Sequence, residues 1–305
     1  MELEKSTIPF RAEMEAALGQ AAPKPKQAPD RWGDMREHVF WGALYHAALI
    51  AGQRAYPAFK PHRTPNPAGE FRLYLRHMAA MPIRRFRRRL ATRAIRRATF
   101  PYHVALLQLA HDANFLANST FTSQRSFLTP VFETFANGAP AHHHLVIKAH
   151  PLDDGREPLQ PLIRELARTC GLKDRVQLLT GGKLAALLDN AQSAVTVNST
   201  AAEQVLWRGL PLKAFGRAVY NRPEFVSGQS LTDFFANPAP PDPEAYKIYR
   251  QYLLQTSQMS GGFYSARSRR RLLRLLPDAM LRAESPYDTL EKPAATPAQH
   301  IRLVR

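Results

Sequence analysis

Cysteine is almost absent. Cys170 is the sole one in 305 residues, which excludes an intrachain disulfide and any cysteine-paired zinc site. Long apolar runs are missing too. The longest, near Trp41–Gly52, is broken by His46 and falls short of the roughly 18–20 residues that span a bilayer. The opening MELEKST lacks the basic-then-apolar pattern of a leader, and no internal repeat is visible. The expectation is a soluble, cytoplasmic protein. Acidic residues are scarce against basic ones: 25 Asp and Glu face 42 Lys and Arg, a formal net charge of +17. Such an excess suggests a polyanionic partner: nucleic acid, anionic lipid or a phosphorylated substrate. With 45% hydrophobic and 22% charged residues, the composition is globular and excludes wholesale disorder. A length of 305 residues suits two domains.

The pattern along the chain changes near Phe100. Before it, a Pro/Lys segment (Ala22–Pro29) reads as linker, and helices are expected from Met35 to Tyr56 and from about Glu70 to Ala98. The second ends in an Arg-rich run, with Arg at 84, 85, 87, 88, 89, 93, 96 and 97. After Phe100 come five short apolar runs: Val104–Leu109, Leu145–Lys148, Val176–Leu179, Ala194–Val197 and Leu212–Phe215. Runs of this kind, buried on both faces, are typical of parallel strands. Helical spacing separates them. Leu159, Leu162, Ile163, Leu166, Ala167 and Cys170 share one face, and Gly171 suits the position just past a helix end. Lys183–Ala191 and Ala201–Arg208 read as shorter helices. Alternating strand and helix makes residues 100–216 a Rossmann-like α/β domain, with its ligand at the carboxyl ends of the strands. Further helices are expected around Pro243–Thr256 and Ala266–Leu276.

Those strand ends carry the unusual polar residues. Asn198-Ser199-Thr200 stands at a helix start. There it is either a simple N-cap or an anion site, where free N–H groups and hydroxyls meet a phosphate. Lys148-Ala149-His150-Pro151 ends a strand. Lysine is uncommon at a buried position unless its charge is used, and Pro151 holds His150 extended. His150 is either a hydrogen-bonded structural residue or a group that binds a phosphate or protonates a leaving oxygen. Asp153 could orient it or bond the following turn. Asp112 follows a strand, as a turn cap or as a base or nucleophile. Gln204 is a candidate supporting residue. His142, His143 and His144 are expected to be exposed, because successive strand residues point to opposite faces. No spacing fits a metal site.

These motifs carry a resemblance. LLQLAHDANFLANSTF, LVIKAHPLDDG, DRVQLL, VTVNSTAAEQVL, GLPLKAFGRAVYN and LTDFF, in that order, resemble the capsule polysaccharide biosynthesis proteins of Gram-negative bacteria, of the KpsS/LipB-type β-Kdo transferases. The likeness covers roughly Glu37–Phe235. It implies a GT-B-like fold whose nucleotide-sugar-binding domain is residues 99–236. Residues 1–98 would be the shortened remnant of an acceptor-side domain, and residues 237–305 carboxyl-terminal helices and a tail. It also implies transfer of Kdo from CMP-β-Kdo, with retention, to a phosphatidylglycerol-type lipid, and no cofactor beyond the donor. Asp112 would be the nucleophile. His150 and Pro151 would meet the CMP phosphate, with Lys148, Asn198, Ser199 and Thr200 completing the nucleotide site. A lipid acceptor would place the protein peripherally on the inner membrane, with Arg84, Arg85, Arg87, Arg88 and Arg89 as its contact and capsule assembly or export proteins as partners. Two alternatives are a non-catalytic nucleotide-sugar-binding partner in capsule assembly and a nucleic-acid-binding protein. The arginine run lacks the interleaved aromatics that the latter would need, Phe86 excepted.

Overall fold

A computed structural model describes residues 35–59, 67–97, 99–151, 153, 155, 157–259, 261–262 and 266–287. The chain divides into two compact units: residues 77–246, and residues 1–76 together with 247–305. Five strands build the first unit: β1 (Tyr102–Leu106), β2 (His144–Lys148), β3 (Val176–Leu179), β4 (Ala191–Thr196) and β5 (Leu212–Ala214). Their order is β3-β2-β1-β4-β5, and every pairing is parallel. Each residue of β1 is buried, because β1 lies mid-sheet with its faces covered; hence its unbroken apolar sequence. Val104 pairs with Val146 of β2 on one side and Ala194 of β4 on the other. From β1 the chain steps outward to β2 and β3, then returns to lay β4 against the free side of β1. That reversal, between β1 and β4, is the topological switch point, where the carboxyl ends of such sheets open a crevice.

The helices are, in chain order, α1 (Met35–Gly52), α2 (Pro67–Arg96), α3 (Ala113–Ala117), α4 (Gln124–Gly138), α5 (Leu159–Thr169), α6 (Leu184–Leu188), α7 (Glu203–Leu206), α8 (Leu231–Ala236), α9 (Pro243–Thr256) and α10 (Ala266–Met280). No described helix is long and apolar enough to cross a membrane. α4 supplies much of the core. Phe127, Leu128, Val131, Phe132 and Phe135 line its buried face and join Ile163 and Leu166 of α5 with Phe234 and Phe235 of α8. Gly138, at its end, lets α8 approach; a Cβ there would collide with the Thr232 carbonyl.

Strand boundaries moved slightly from the expected ones. β1 starts two residues earlier, and β4 begins at Ala191 rather than Ala194. α6 and α7 are shorter than expected. The segment at Thr200–Ala202 forms a 3-10 turn before α7, because the Ser199 hydroxyl oxygen accepts from the Ala201 N–H and tightens the start. Gly171 lies at φ 69° just past α5, the left-handed geometry its position suggested. α3, α4 and α8 are absent from the sequence pattern: α4 carries Pro130 inside it, and α3 and α8 span only five and six residues.

The three consecutive histidines required a correction. Only His142 is exposed; His143 and His144 are half-buried. They gather at the amino ends of the strands around His103, which is fully buried on β1. His103 Nδ1 lies 2.7 Å from Ser193 Oγ on β4, and its Nε2 lies 2.9 Å from His143 Nδ1. Burial pushes the His103 imidazole down to about 3, with His143 and Arg175 pushing the same way. His144 stacks on Phe100, ring centroids 3.8 Å apart. Partners and aromatic packing, rather than solvent, take up these rings.

Candidate active site

The loops that leave β1, β2, β4 and β5 meet at the carboxyl edge of the sheet, and amide hydrogen bonds join them. The Asn198 N–H, just past β4, donates to Gln108 Oε1, just past β1 (3.1 Å). Asn198 Nδ2 donates to the carbonyls of Asn114 (2.9 Å) and Asn118 (3.4 Å), at the two ends of α3. Gln108 in turn offers its carbonyl to Gln124 Nε2 at the start of α4 (2.7 Å). From the β5 side, the Arg217 N–H reaches the Asn118 carbonyl at 2.7 Å, and the Tyr220 hydroxyl reaches the Ser199 carbonyl at 2.7 Å. Gly216 sits against this junction, where a Cβ would come within 2.9 Å of the Asn118 carbonyl. The edge of the crevice is therefore a tied framework rather than a set of independent loops.

Asp112, in the loop after β1, and His150, in the loop after β2, both stand at this edge. Burial holds the His150 imidazole below its ordinary value; the carboxylates of Asp112 and Asp153 pull it up, while Lys148 and His111 push it down. The net direction leaves a neutral ring at pH 7, able to donate one N–H and accept at the other nitrogen. Asp112 also serves as a cap: its Oδ1 accepts from the Asn114 N–H at 2.9 Å, at the start of α3. The two readings of Asp112 are thus compatible, since one carboxylate oxygen caps and the other has lone pairs to spare.

The remaining expected residues take distinct places. Lys148 is buried, and its ammonium donates to the Ala149 carbonyl at 3.2 Å, so its charge acts on the crevice through the field at His150. Pro151 is exposed at the turn that follows. Asp153 Oδ1 accepts from the Gly155 N–H at 3.2 Å, the turn role expected for it. Asn198 and Ser199 are buried; Thr200 and Gln204 are exposed. Ser199 is the cap of its 3-10 turn. Arg89 is exposed, whereas the side chains of Arg84, Arg85, Arg87 and Arg88 lie outside the described residues. Among the described residues, no group of three His, Cys, Asp or Glu side chains could hold a metal ion.

Several site residues carried little sequence signal. Gln108 interrupts an apolar run, which marks it in retrospect as a polar residue kept at a strand end. Gln124, His111 and Glu157 line a cleft with His150. The Glu157 carboxylate accepts from the Gln124 N–H at 3.3 Å, and burial raises its pKa, with that hydrogen bond opposing and Asp153 reinforcing. Tyr220 reaches Ser199 from another loop, and nothing local in the sequence announces it.

A parallel sheet in this order, with polar loops tied at its carboxyl edge, defines an α/β protein of the Rossmann type, a class in which ligands bind at that edge. The sequence pattern of the family described as capsule polysaccharide biosynthesis protein matches residues 4–264, and the chain belongs to that family. It is similar to the capsule polysaccharide modification protein LipB of Neisseria meningitidis serogroup B, 32% identical over 227 residues, covering 72% of this chain and 53% of LipB. It is also similar to the capsule polysaccharide export protein KpsS of Escherichia coli, 29% identical over 228 residues, covering 74% of this chain and 58% of KpsS. The chain thus spans just over half the length of these curated relatives. Among solved structures, the KpsC beta Kdo 2,7 transferase of Thermosulfurimonas dismutans matches with a TM-score of 0.30 and 15% identity, covering 56% of this chain and 62% of that one.

Proposed function

We propose that this chain is the nucleotide-sugar-binding part of a retaining glycosyltransferase of capsule biosynthesis. The donor is CMP-β-Kdo and the acceptor a phosphatidylglycerol-type lipid at the inner-membrane surface. The observation that carries this reading is the tying together, at the carboxyl edge of the sheet, of the loop after β1 that holds Asp112 and the turn after β4 that holds Asn198 and Ser199. The membership in the capsule biosynthesis family supports it.

In this reading the phosphate of CMP lies against the Asn198–Thr200 turn, held by the N–H groups and hydroxyls of Ser199 and Thr200. His150 donates its N–H to the phosphate oxygen, with Pro151 fixing the backbone. Asp112 attacks the anomeric carbon; the bond from that carbon to the phosphate oxygen breaks, and CMP leaves with the electron pair. The acceptor hydroxyl then attacks the same carbon, loses its proton, and releases the Asp112 carboxylate. Two inversions give retention. Residues 1–98 serve the acceptor side, residues 99–236 the nucleotide, and the Arg84–Arg89 run the anionic membrane. Capsule assembly or export proteins are the partners, and binding of the nucleotide needs no metal.

Calorimetry tests this reading. CMP should bind the wild-type chain equally with and without a chelator, and a His150→Ala, Ser199→Ala double variant should bind it at least about tenfold more weakly, the equivalent of about 1.4 kcal/mol. Equal affinity in the two proteins removes this crevice as the nucleotide site.

A further inference from the structure

We infer that the outward face of α10 is a docking surface for an anionic lipid bilayer: Leu273, Leu276, Met280 and Leu281 enter the boundary between headgroups and acyl chains, and Arg270 and Arg274 meet the lipid phosphates. The inference rests on the inner-membrane part of the reading above and names the element that inserts. It does not depend on which nucleotide or sugar binds at the crevice.

α10 wears its apolar side outward. Leu273 is 64% exposed, Met280 74% and Leu281 84%, and Leu276 and Pro277 are exposed with them. These positions recur at spacings of three and four, so they share one side of the helix. The Leu281 N–H donates to the Pro277 carbonyl at 2.9 Å, which carries the helical turn one residue past Met280. The opposite side is the one that packs. Ser268 is buried, and Leu272, Leu275 and Ala279 are half-buried. Gly261 lies so close to Leu272 that a Cβ there would come within 2.8 Å of the Leu272 Cβ. α5 does the reverse and buries Leu159, Ile163 and Leu166. Single exposed leucines are ordinary on a protein surface, whereas a contiguous apolar stripe marks a surface that meets something.

Charge says what it meets. Between Ala266 and Met280 five arginines stand against one acid, Asp278. Arg270 and Arg274 are exposed and lie on the apolar side, in the helical row Arg270, Arg274, Pro277, Leu281. A second copy of this chain would set the same arginines, and a net charge of +17, against themselves. A neutral apolar groove would strip the guanidinium groups of water with no return. An anionic bilayer matches both halves of the face. Its acyl boundary takes the leucines and the methionine. Its phosphates pair with the arginines, whose stems lie along apolar surface while the heads reach the headgroups. A helix of 15 residues that carries five arginines lies in the plane of the interface and does not span it. Insertion of this kind adds to charge attraction a component that salt does not screen.

The test uses the full chain and vesicles of phosphatidylglycerol mixed with phosphatidylcholine. A Leu273→Ser, Met280→Ser, Leu281→Ser variant removes the inserted groups and keeps every arginine. Because these side chains are exposed, melting should not change. Vesicle affinity should fall at least about tenfold, and the binding that persists in wild type at high salt should be lost. An affinity within twofold of wild type overturns the inference. If sedimentation velocity finds a wild-type dimer that the variant converts to monomer while vesicle binding stays, the face is a contact between copies and the inference falls. CMP calorimetry keeps the two readings apart. A wild-type chain that binds CMP but no vesicles overturns this surface and leaves the nucleotide site standing; one that binds vesicles but not CMP does the opposite. Should the variant not fold, Met280→Cys in a Cys170→Ser chain, where it is the sole cysteine, carries an environment-sensitive fluorophore. A blue shift on the anionic vesicles and none on phosphatidylcholine alone supports insertion, and an unshifted spectrum overturns it.

Discussion

The Tyr220 hydroxyl donates to the Ser199 carbonyl at 2.7 Å and thereby fastens the loop after β5 to the turn after β4. Tyr220 is 2% exposed, and burial raises its phenol well above the ordinary value, so the group stays a donor at any working pH. Tyr220→Phe removes the bond and strands a carbonyl. We expect a loss of roughly 1–3 kcal/mol in urea unfolding. On the proposed nucleotide site, CMP affinity should fall a few-fold as well, because the turn assigned to the phosphate is loosened. A variant as stable as wild type would show that the bond contributes nothing.

Acid should unfold the protein through His103. Its folded value of about 3 lies below the 6.5 of a solvated imidazole in the unfolded chain, so the unfolded chain binds the proton more tightly. Stability is therefore constant above about pH 6.5 and falls as the pH drops toward the folded value. The loss is roughly 3 kcal/mol by pH 4. His103→Gln, which cannot titrate, should flatten that limb of a melting-temperature profile. An unchanged slope would assign the acid sensitivity elsewhere.

Asp112→Asn separates the cap from the chemistry. Asparagine caps a helix about as well as aspartate, so melting should barely change. On the proposed mechanism the loss of the carboxylate removes the nucleophile, and turnover should fall by roughly a thousandfold or more. Near-normal turnover would eliminate the nucleophile. Mass spectrometry of a stalled wild-type reaction should find a sugar on the peptide that contains Asp112.

Gly138→Ala probes the approach of α8 to α4. The added methyl collides with the Thr232 carbonyl, and overpacking of this sort costs about 1–3 kcal/mol. CMP affinity should not move, since the contact lies away from the crevice. A variant with wild-type stability would mean that α8 shifts freely.

Replacing Arg84, Arg85, Arg87, Arg88 and Arg89 with Gln should weaken sedimentation with phosphatidylglycerol vesicles. Each arginine near an anionic surface is worth on the order of 1 kcal/mol. Wild-type binding should also decline as salt rises. If the variant sediments like wild type, the run is not the membrane contact.

The strands were legible because β1, β2 and β4 are buried on both faces, and burial writes itself as consecutive apolar residues. Gly171 was legible because only glycine adopts its backbone freely. The polar residues at the strand ends were equally visible, as Asp112, His150 and Asn198–Thr200 each stand where an apolar run stops. What the sequence hid was pairing at a distance. Gln108 meets Asn198 across 90 positions, and Tyr220 meets Ser199 from a separate loop, so no local pattern contains either bond. The same holds for His103. Its partners Ser193 and His143 sit 90 and 40 positions away, and a triple histidine read alone suggests solvent exposure. α3 and α8 also escaped, because one or two turns set among polar residues offer too few positions to display a period, and α4 escaped because Pro130 stands inside it.

The placement of β4 beside β1 has a consequence for how the chain acquires its shape during synthesis. β1 emerges first, yet one of its two neighbours, β4, lies 90 residues downstream at the His103–Ser193 pair. Until the ribosome has delivered that stretch, β1 presents an open edge whose residues from Tyr102 to Leu106 are all destined for burial. Contacts so distant along the chain form slowly, and an open apolar edge recruits other chains while it waits. A nascent chain arrested before Ala191 should therefore aggregate or depend on a chaperone, whereas one arrested after Ala214 can close its sheet.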